Sequence, residues 1–246
     1  MYREEVPLYG DLVKIVHNIN AVTLEDAISK TSAADTVALR ASAEWLTLER
    51  HGANRLGIPY ELQIVKRIFA VLGMYPIGYY DLSASGLPIH ATCFRPKHTA
   101  SLDWNPFRVF TTLFRPELLV SKDAREQALA LLEQRRIFTD TLLDLLNTAG
   151  EQDAQLDHEQ AEAFVPEALL SFSWRSVAAA AFDQYRLLRE EHPILADIAC
   201  LQSAHINHLR SLNQTPDPFP ILQCRGHFGV ICQMIQGMPI AFLGYH

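Results

Sequence analysis

Residues 73–96 read GMYPIGYYDLSASGLPIHATCFRP. Two runs of apolar, aromatic and β-branched residues, MYPIGYYDLS and LPIHATCFRP, flank the turn residues ASG. That pattern predicts two consecutive strands. A third follows in FRVFTTLFRPELL (107–119), whose β-branched and aromatic side chains suit a pleated sheet. Upstream, Pro59 stands at the first position of a predicted helix, where a missing N–H costs nothing. Leu62, Val65, Ile68, Phe69 and Leu72 then recur at helical spacing, and Gly73 ends the run.

Further out, Leu12, Val13, Ile15, Val16 and Ile19 predict an early helix, and residues 35–50 another. HGANRLG (51–57) breaks the helical pattern with two glycines. Beyond Ser121 the character changes. SKDAREQALALLEQRRIF and TDTLLDLLNTA are amphipathic, and Asp157 with Gln160 forms a plausible capping box for the next helix. Pro166 predicts a kink or a fresh start within that helix. AAFDQYRLLREEH is one more helix, and the β-branched ILADIACL (194–201) returns to strand.

The expected fold is therefore α+β, a single domain over 1–246. It has a helical N-terminal part (1–72), sheet strands at 73–119 and 194–210, a helical insertion (121–192) and a tail (211–246). No linker of Gly, Ser or Pro bounds the helical block. A chain of 246 residues buries roughly 70–75% of its unfolded surface, so its core needs no disulfide or metal to close.

The net charge is −7 and no long basic run occurs, which argues against nucleic acid and anionic membranes as partners. MYREEVPLYG carries acids and no apolar stretch, so no secretory signal is expected. The longest apolar runs are too short to span a bilayer. Four cysteines, Cys93, Cys200, Cys224 and Cys232, form no CxxC pair and read as free thiols of a reducing cytoplasm.

His51 and Arg55 stand four apart in ERHGANRLG, a spacing that places both on one face of a strand or a helix. A histidine can bind a metal, and an arginine beside it can grip a carboxylate through two parallel hydrogen bonds. The bland alternative is a turn histidine and a surface arginine. His205 and His208 in HINH differ by three. On a strand they face opposite sides and one could join a site; on a helix they share a face. The strand reading of ILADIAC favours one. His90 alternates with Ile89 and Ala91, so it lines a pocket or meets solvent. The aromatics of FAVLGMYPIGYYDLS read as core packing ahead of a cofactor box. Lys122, Arg125, Glu133, Arg135 and Arg136 read as a solvated mixed-sign face. No Walker loop, GxGxxG or GxSxG occurs.

ERHGANRLG, FAVLGMYPIGYYDLS, PIHATCFRP, NPFRVFTTLFRPELL, EALLSFSW, EHPILADIAC and HINHL together resemble, in order and wording, the 2-oxoadipate dioxygenase/decarboxylase family. That family is related to the vicinal oxygen chelate superfamily. The resemblance covers about residues 1–210 and implies a partial β-barrel or sheet with a large inserted helical block, incomplete at its C-terminal end. It implies an Fe(II) enzyme that takes 2-oxoadipate and O₂ to 2-hydroxyglutarate and CO₂ in lysine catabolism. By motif match His51 and His208 are metal ligands, and Arg55 contacts the substrate with His51 beside it. The family's third ligand is a glutamate, and the two-histidine, one-carboxylate set leaves positions open for substrate and oxygen. No residue here matches that glutamate. RSLNQTPDPFPILQCRGHFG departs from the family wording after Leu209, and MIQGMP keeps a trace of a later motif. Asp197, Asp217 and His227 are candidates to complete the set. The alternatives are a metal-dependent hydrolase or lyase using the same histidines, or a catalytically inactive shortened homologue.

Overall fold

A computed structural model describes residues 8–30, 32, 36–37, 40 and 51–204. The chain forms two compact units, Met1–Glu49 with Leu209–His246, and Arg50–His208. In the first, helix α1 (Tyr9–Ser29) covers the early helix expected from the apolar spacing. Most of the predicted helix at 35–50 lies outside the described residues. No helix among the described residues is long and apolar enough to cross a membrane.

The second unit is built around four strands, β1 (His51–Leu56), β2 (Tyr75–Asp81), β3 (Ile89–Arg95) and β4 (Arg108–Phe114). Helix α2 (Pro59–Val71) joins β1 to β2, and α3 (Thr99–Trp104) joins β3 to β4. The sheet order is β1-β4-β3-β2. β1 runs parallel to its neighbour β4, while β4–β3 and β3–β2 are antiparallel. The turn between β2 and β3 closes through a 3₁₀ segment (Ser83–Ser85) and Gly86 at φ 77°, where a side chain would be strained. The three strands of residues 73–119 thus stand as expected. HGANRLG adds a fourth, because the segment finds its hydrogen bonds along β4, far away in sequence.

Side chains alternate across this sheet. Register puts positions 51 and 55 of β1 on the same face as 108, 110 and 112 of β4 and 91, 93 and 95 of β3. The other face carries Leu56, Val109, Leu113 and Phe94. There α2 packs, and Ile64, Val65, Ile68 and Phe69 are buried along one stripe. The Phe69 ring lies 4.9 Å from Phe94 and stacks at 5.8 Å on Phe172. The opposite face carries Arg55 and buries Ala91, Phe110 and Thr112.

Five helices follow β4: α4 (Lys122–Gln134), α5 (Asp140–Glu151), α6 (His158–Phe172), α7 (Phe182–Glu191) and α8 (Pro193–Cys200). Asp157 and Gln160 make the full capping box of α6. That helix continues through Pro166 without a fresh start.

α8 corrects the strand expected over 194–210, as far as its residues to Cys200 are concerned. Pro193 opens it at the first helical turn, as Pro59 opens α2, and the His192 imidazole caps it by accepting from the Ile194 N–H at 3.2 Å. Accepting through Nδ1 needs a neutral ring, and burial holds the His192 pKa below its ordinary value against the opposing pull of Glu191. Every residue from Ile194 to Cys200 except Asp197 is buried. A short run that is apolar all round has no period by which to tell helix from strand. The helical block therefore runs on to Cys200, and no strand follows it among the described residues.

The turn from β1 into α2 depends on Gly57. A Cβ there would stand 2.2 Å from Cδ2 of Leu132, a side chain with no exposed surface. We expect Gly57→Ala to lower unfolding free energy by about 1–3 kcal/mol, the usual cost of overpacking. The midpoint of urea unfolding checks this, and an unchanged midpoint would mean that Leu132 moves aside freely.

Candidate active site

At the C-terminal half of β1, Arg55 points from the sheet face opposite α2 and meets Asp197 of α8, Nη1 donating to Oδ2 at 3.0 Å. The two side chains keep 17% and 18% of their surface, so both are largely withdrawn from water. Burial pushes the Asp197 carboxyl above the ordinary aspartate value, and the attraction of Arg55 offsets this only in part. The pair is thus held where charge is expensive. Register places position 51 on the same face, opposite Arg108 on β4, with Thr112 opposite Arg55. Arg95 occupies a β3 position on that face too. Positions 55, 95 and 108 on this face are all arginines, and Arg55 among them is paired with Asp197.

Helix α8 is fixed in place by a second, fully buried ion pair. Arg135, at the end of α4, donates through Nε to Glu61 Oε1 at 2.8 Å and through Nη2 to Oε2 at 2.5 Å. The same carboxylate accepts from the Gly57 N–H at 2.7 Å, just past the end of β1. Arg135 Nη1 also donates to the carbonyls of Ile198 (2.6 Å) and Leu201 (3.1 Å), at the C-terminal end of α8. One guanidinium therefore ties the strand that carries Arg55 to the helix that carries Asp197. This corrects the reading of Arg135 as part of a solvated face: its side chain is 1% exposed.

The other candidates sort by place. His90 is on the face opposite Arg55, half-buried, edge-on to Tyr79 at 5.5 Å, with the Tyr79 hydroxyl 3.3 Å from Nδ1. Burial and the nearby Arg115 lower its pKa. The side chain of His51, and all of His205, His208, Asp217 and His227, lie outside the described residues. The strand argument for choosing one histidine of HINH loses its premise, since the segment before it is helical. Among the described residues no group of three His, Cys, Asp or Glu could hold a metal ion. The thiol of Cys200 is pushed up to about 11, by burial first and by Asp197 second, so it stays protonated and offers no thiolate.

Asp197 was anticipated only as a candidate metal ligand, not as the partner of Arg55, and the Glu61–Arg135 network was not anticipated. One signal existed for the first: a lone acid in ILADIAC, which must find a cation if the run is buried.

The fold is α+β, an open mixed sheet of four strands with β1 parallel to β4 and Arg55 on the face opposite α2. A glyoxalase-superfamily protein from Ralstonia eutropha shares the fold at TM-score 0.52 and 18% identity, over 91% of this chain and 67% of that one. Residues 1–224 match the 2-oxoadipate dioxygenase/decarboxylase family, and the chain belongs to it. The 2-oxoadipate dioxygenase/decarboxylase of Shigella flexneri is 44% identical over 212 residues, 85% of this chain and 46% of that one. Its Pseudomonas putida counterpart is 43% identical over 209 residues, 85% and 44%. The hydroxyglutarate synthase of Pseudomonas putida, solved with 2-oxoadipate, superposes at TM-score 0.73 and 43% identity, covering 84% of this chain and 45% of that one. The chain spans about half the length of the curated relatives it matches.

Proposed function

We propose that this chain carries the substrate-gripping half of a 2-oxoadipate dioxygenase/decarboxylase site. The reaction is conversion of 2-oxoadipate and O₂ to 2-hydroxyglutarate and CO₂ in the cytoplasm. Arg55 supports it most directly: a guanidinium held beside Asp197 on the sheet face opposite α2, on the strand that begins with His51. Arg55 binds and orients a carboxylate of the 2-oxo acid, and its planar fork selects dicarboxylates over neutral acids. The sheet and α8 keep Arg55 and Asp197 four-fifths shielded, which strengthens the grip by excluding water. His51 and His208 are the donors that would hold iron(II), which supplies the redox chemistry when bound. The conversion balances with O₂ alone and needs no outside reductant.

The test is anaerobic addition of Fe(II) and then 2-oxoadipate to the purified chain. A weak visible absorption band is expected, followed on admitting O₂ by equal amounts of 2-hydroxyglutarate and CO₂. A featureless spectrum with neither product overturns the proposal for this chain. Activity with zinc or manganese and no O₂ uptake would favour a hydrolase or lyase instead.

A further inference from the structure

We propose that Asp197 is a positioning residue that holds Arg55 ready for the substrate carboxylate, a role that rests on the function proposed above. The contact is end-on. A single η-nitrogen of Arg55 meets a single oxygen of Asp197 at 3.0 Å, whereas a fork-to-fork pair would use two. Arginine has five N–H donors in one plane. An end-on partner fixes the plane and leaves the remaining donors unused by Asp197, so a second carboxylate can enter bidentately. Orientation settled before binding lowers the entropy lost on binding.

The placement of Asp197 supports a role beyond stability. It is the sole residue of Ile194–Cys200 that is not buried, and it keeps 18% of its side-chain surface beside the 17% that Arg55 keeps. Desolvation outweighs the attraction of Arg55, so the charged carboxylate is kept at a net cost to folding. An apolar residue would serve packing better there. The buried Arg135 clamp on the Ile198 and Leu201 carbonyls then sets the helix, and with it the carboxylate, at a fixed distance from β1.

The experiment compares Asp197→Asn, Asp197→Ala and Arg55→Ala with the native chain. The readouts are calorimetric binding of 2-oxoadipate to the Fe(II)-loaded protein without O₂, and ¹⁵N NMR exchange of the Arg55 Nε proton. Asp197→Ala is expected to weaken binding about tenfold, equivalent to 1.4 kcal/mol, and to speed Nε–H exchange. Asp197→Asn, which keeps a neutral acceptor in place, falls between the native chain and Asp197→Ala in both, since charge-assisted bonds are roughly twice as strong as neutral ones. If Asp197→Ala does not fold, Asp197→Asn alone decides. Nε–H exchange at the native rate in either variant, or equal binding loss in both, overturns the positioning role. If Arg55→Ala weakens binding and neither Asp197 variant does, only this role fails. If Arg55→Ala binds 2-oxoadipate as the native chain does, the proposed function fails with it.

Discussion

Arg135→Met is expected to lower the unfolding free energy by about 3–5 kcal/mol, the cost of leaving one member of a buried ion pair without its partner. Glu61 would remain 2% exposed with only the Gly57 N–H to accept from. The carbonyls of Ile198 and Leu201 would lose their donor as well. A buried pair is a poor stabiliser against an apolar substitute, but a broken one is worse than either. Glu61→Leu combined with Arg135→Met should therefore recover much of the loss, because the pair is removed together. Urea unfolding of the two variants separates the cases. The single variant shifts the midpoint far down at constant slope, and the double variant lies between it and the native chain. A single variant at the native midpoint would show that the network does not hold the fold. Because the clamp seats α8, the double variant should regain stability without regaining the placement of Asp197.

The sequence was legible where local chemistry decides. Pro59, the 62–72 spacing and Gly73 define α2, and the turn of residues 84–86 sets β2 against β3. Asp157 and Gln160 cap α6 through contacts three residues apart, which any local reading can find. What escaped depends on distant partners. β1 is a strand because β4 supplies its hydrogen bonds. The run from Lys122 to Arg136 alternates in sign like a solvated surface, yet Arg135 stands at the helix end, where the chain turns and its side chain enters the core toward Glu61, 74 residues earlier. The ILADIAC segment carries apolar residues on every side, so its helical form rests on Pro193 and the His192 cap. The spacing of His51 and Arg55 implies a shared face under either geometry, and β1 puts positions 51 and 55 on one face of the sheet. Asp197 entered the reading as a spare metal ligand, and the fold instead brings it to the arginine.

Arg55→Ala is expected to weaken 2-oxoadipate binding by about 2–4 kcal/mol, roughly 30- to 1,000-fold. Two losses add: the substrate carboxylate loses its guanidinium, and Asp197 is left shielded and unpaired beside the incoming anion. Arg55→Lys should restore less than its charge suggests. An ammonium is a point charge with no planar fork, and a shorter reach forces it to choose between Asp197 and the substrate. The loss should fall on the acid and spare the metal, since Arg55 is no ligand in the proposed site. Fe(II) affinity, measured by competition with a chelator, should stay native in Arg55→Ala and fall in His51→Ala. The opposite assignment, metal lost with Arg55 and the acid still bound, would mean that β1 serves the metal alone and that the carboxylate is gripped elsewhere. Neutral 2-oxo acid esters extend the logic: they should bind native chain and Arg55→Ala equally, because the arginine offers them nothing that water does not.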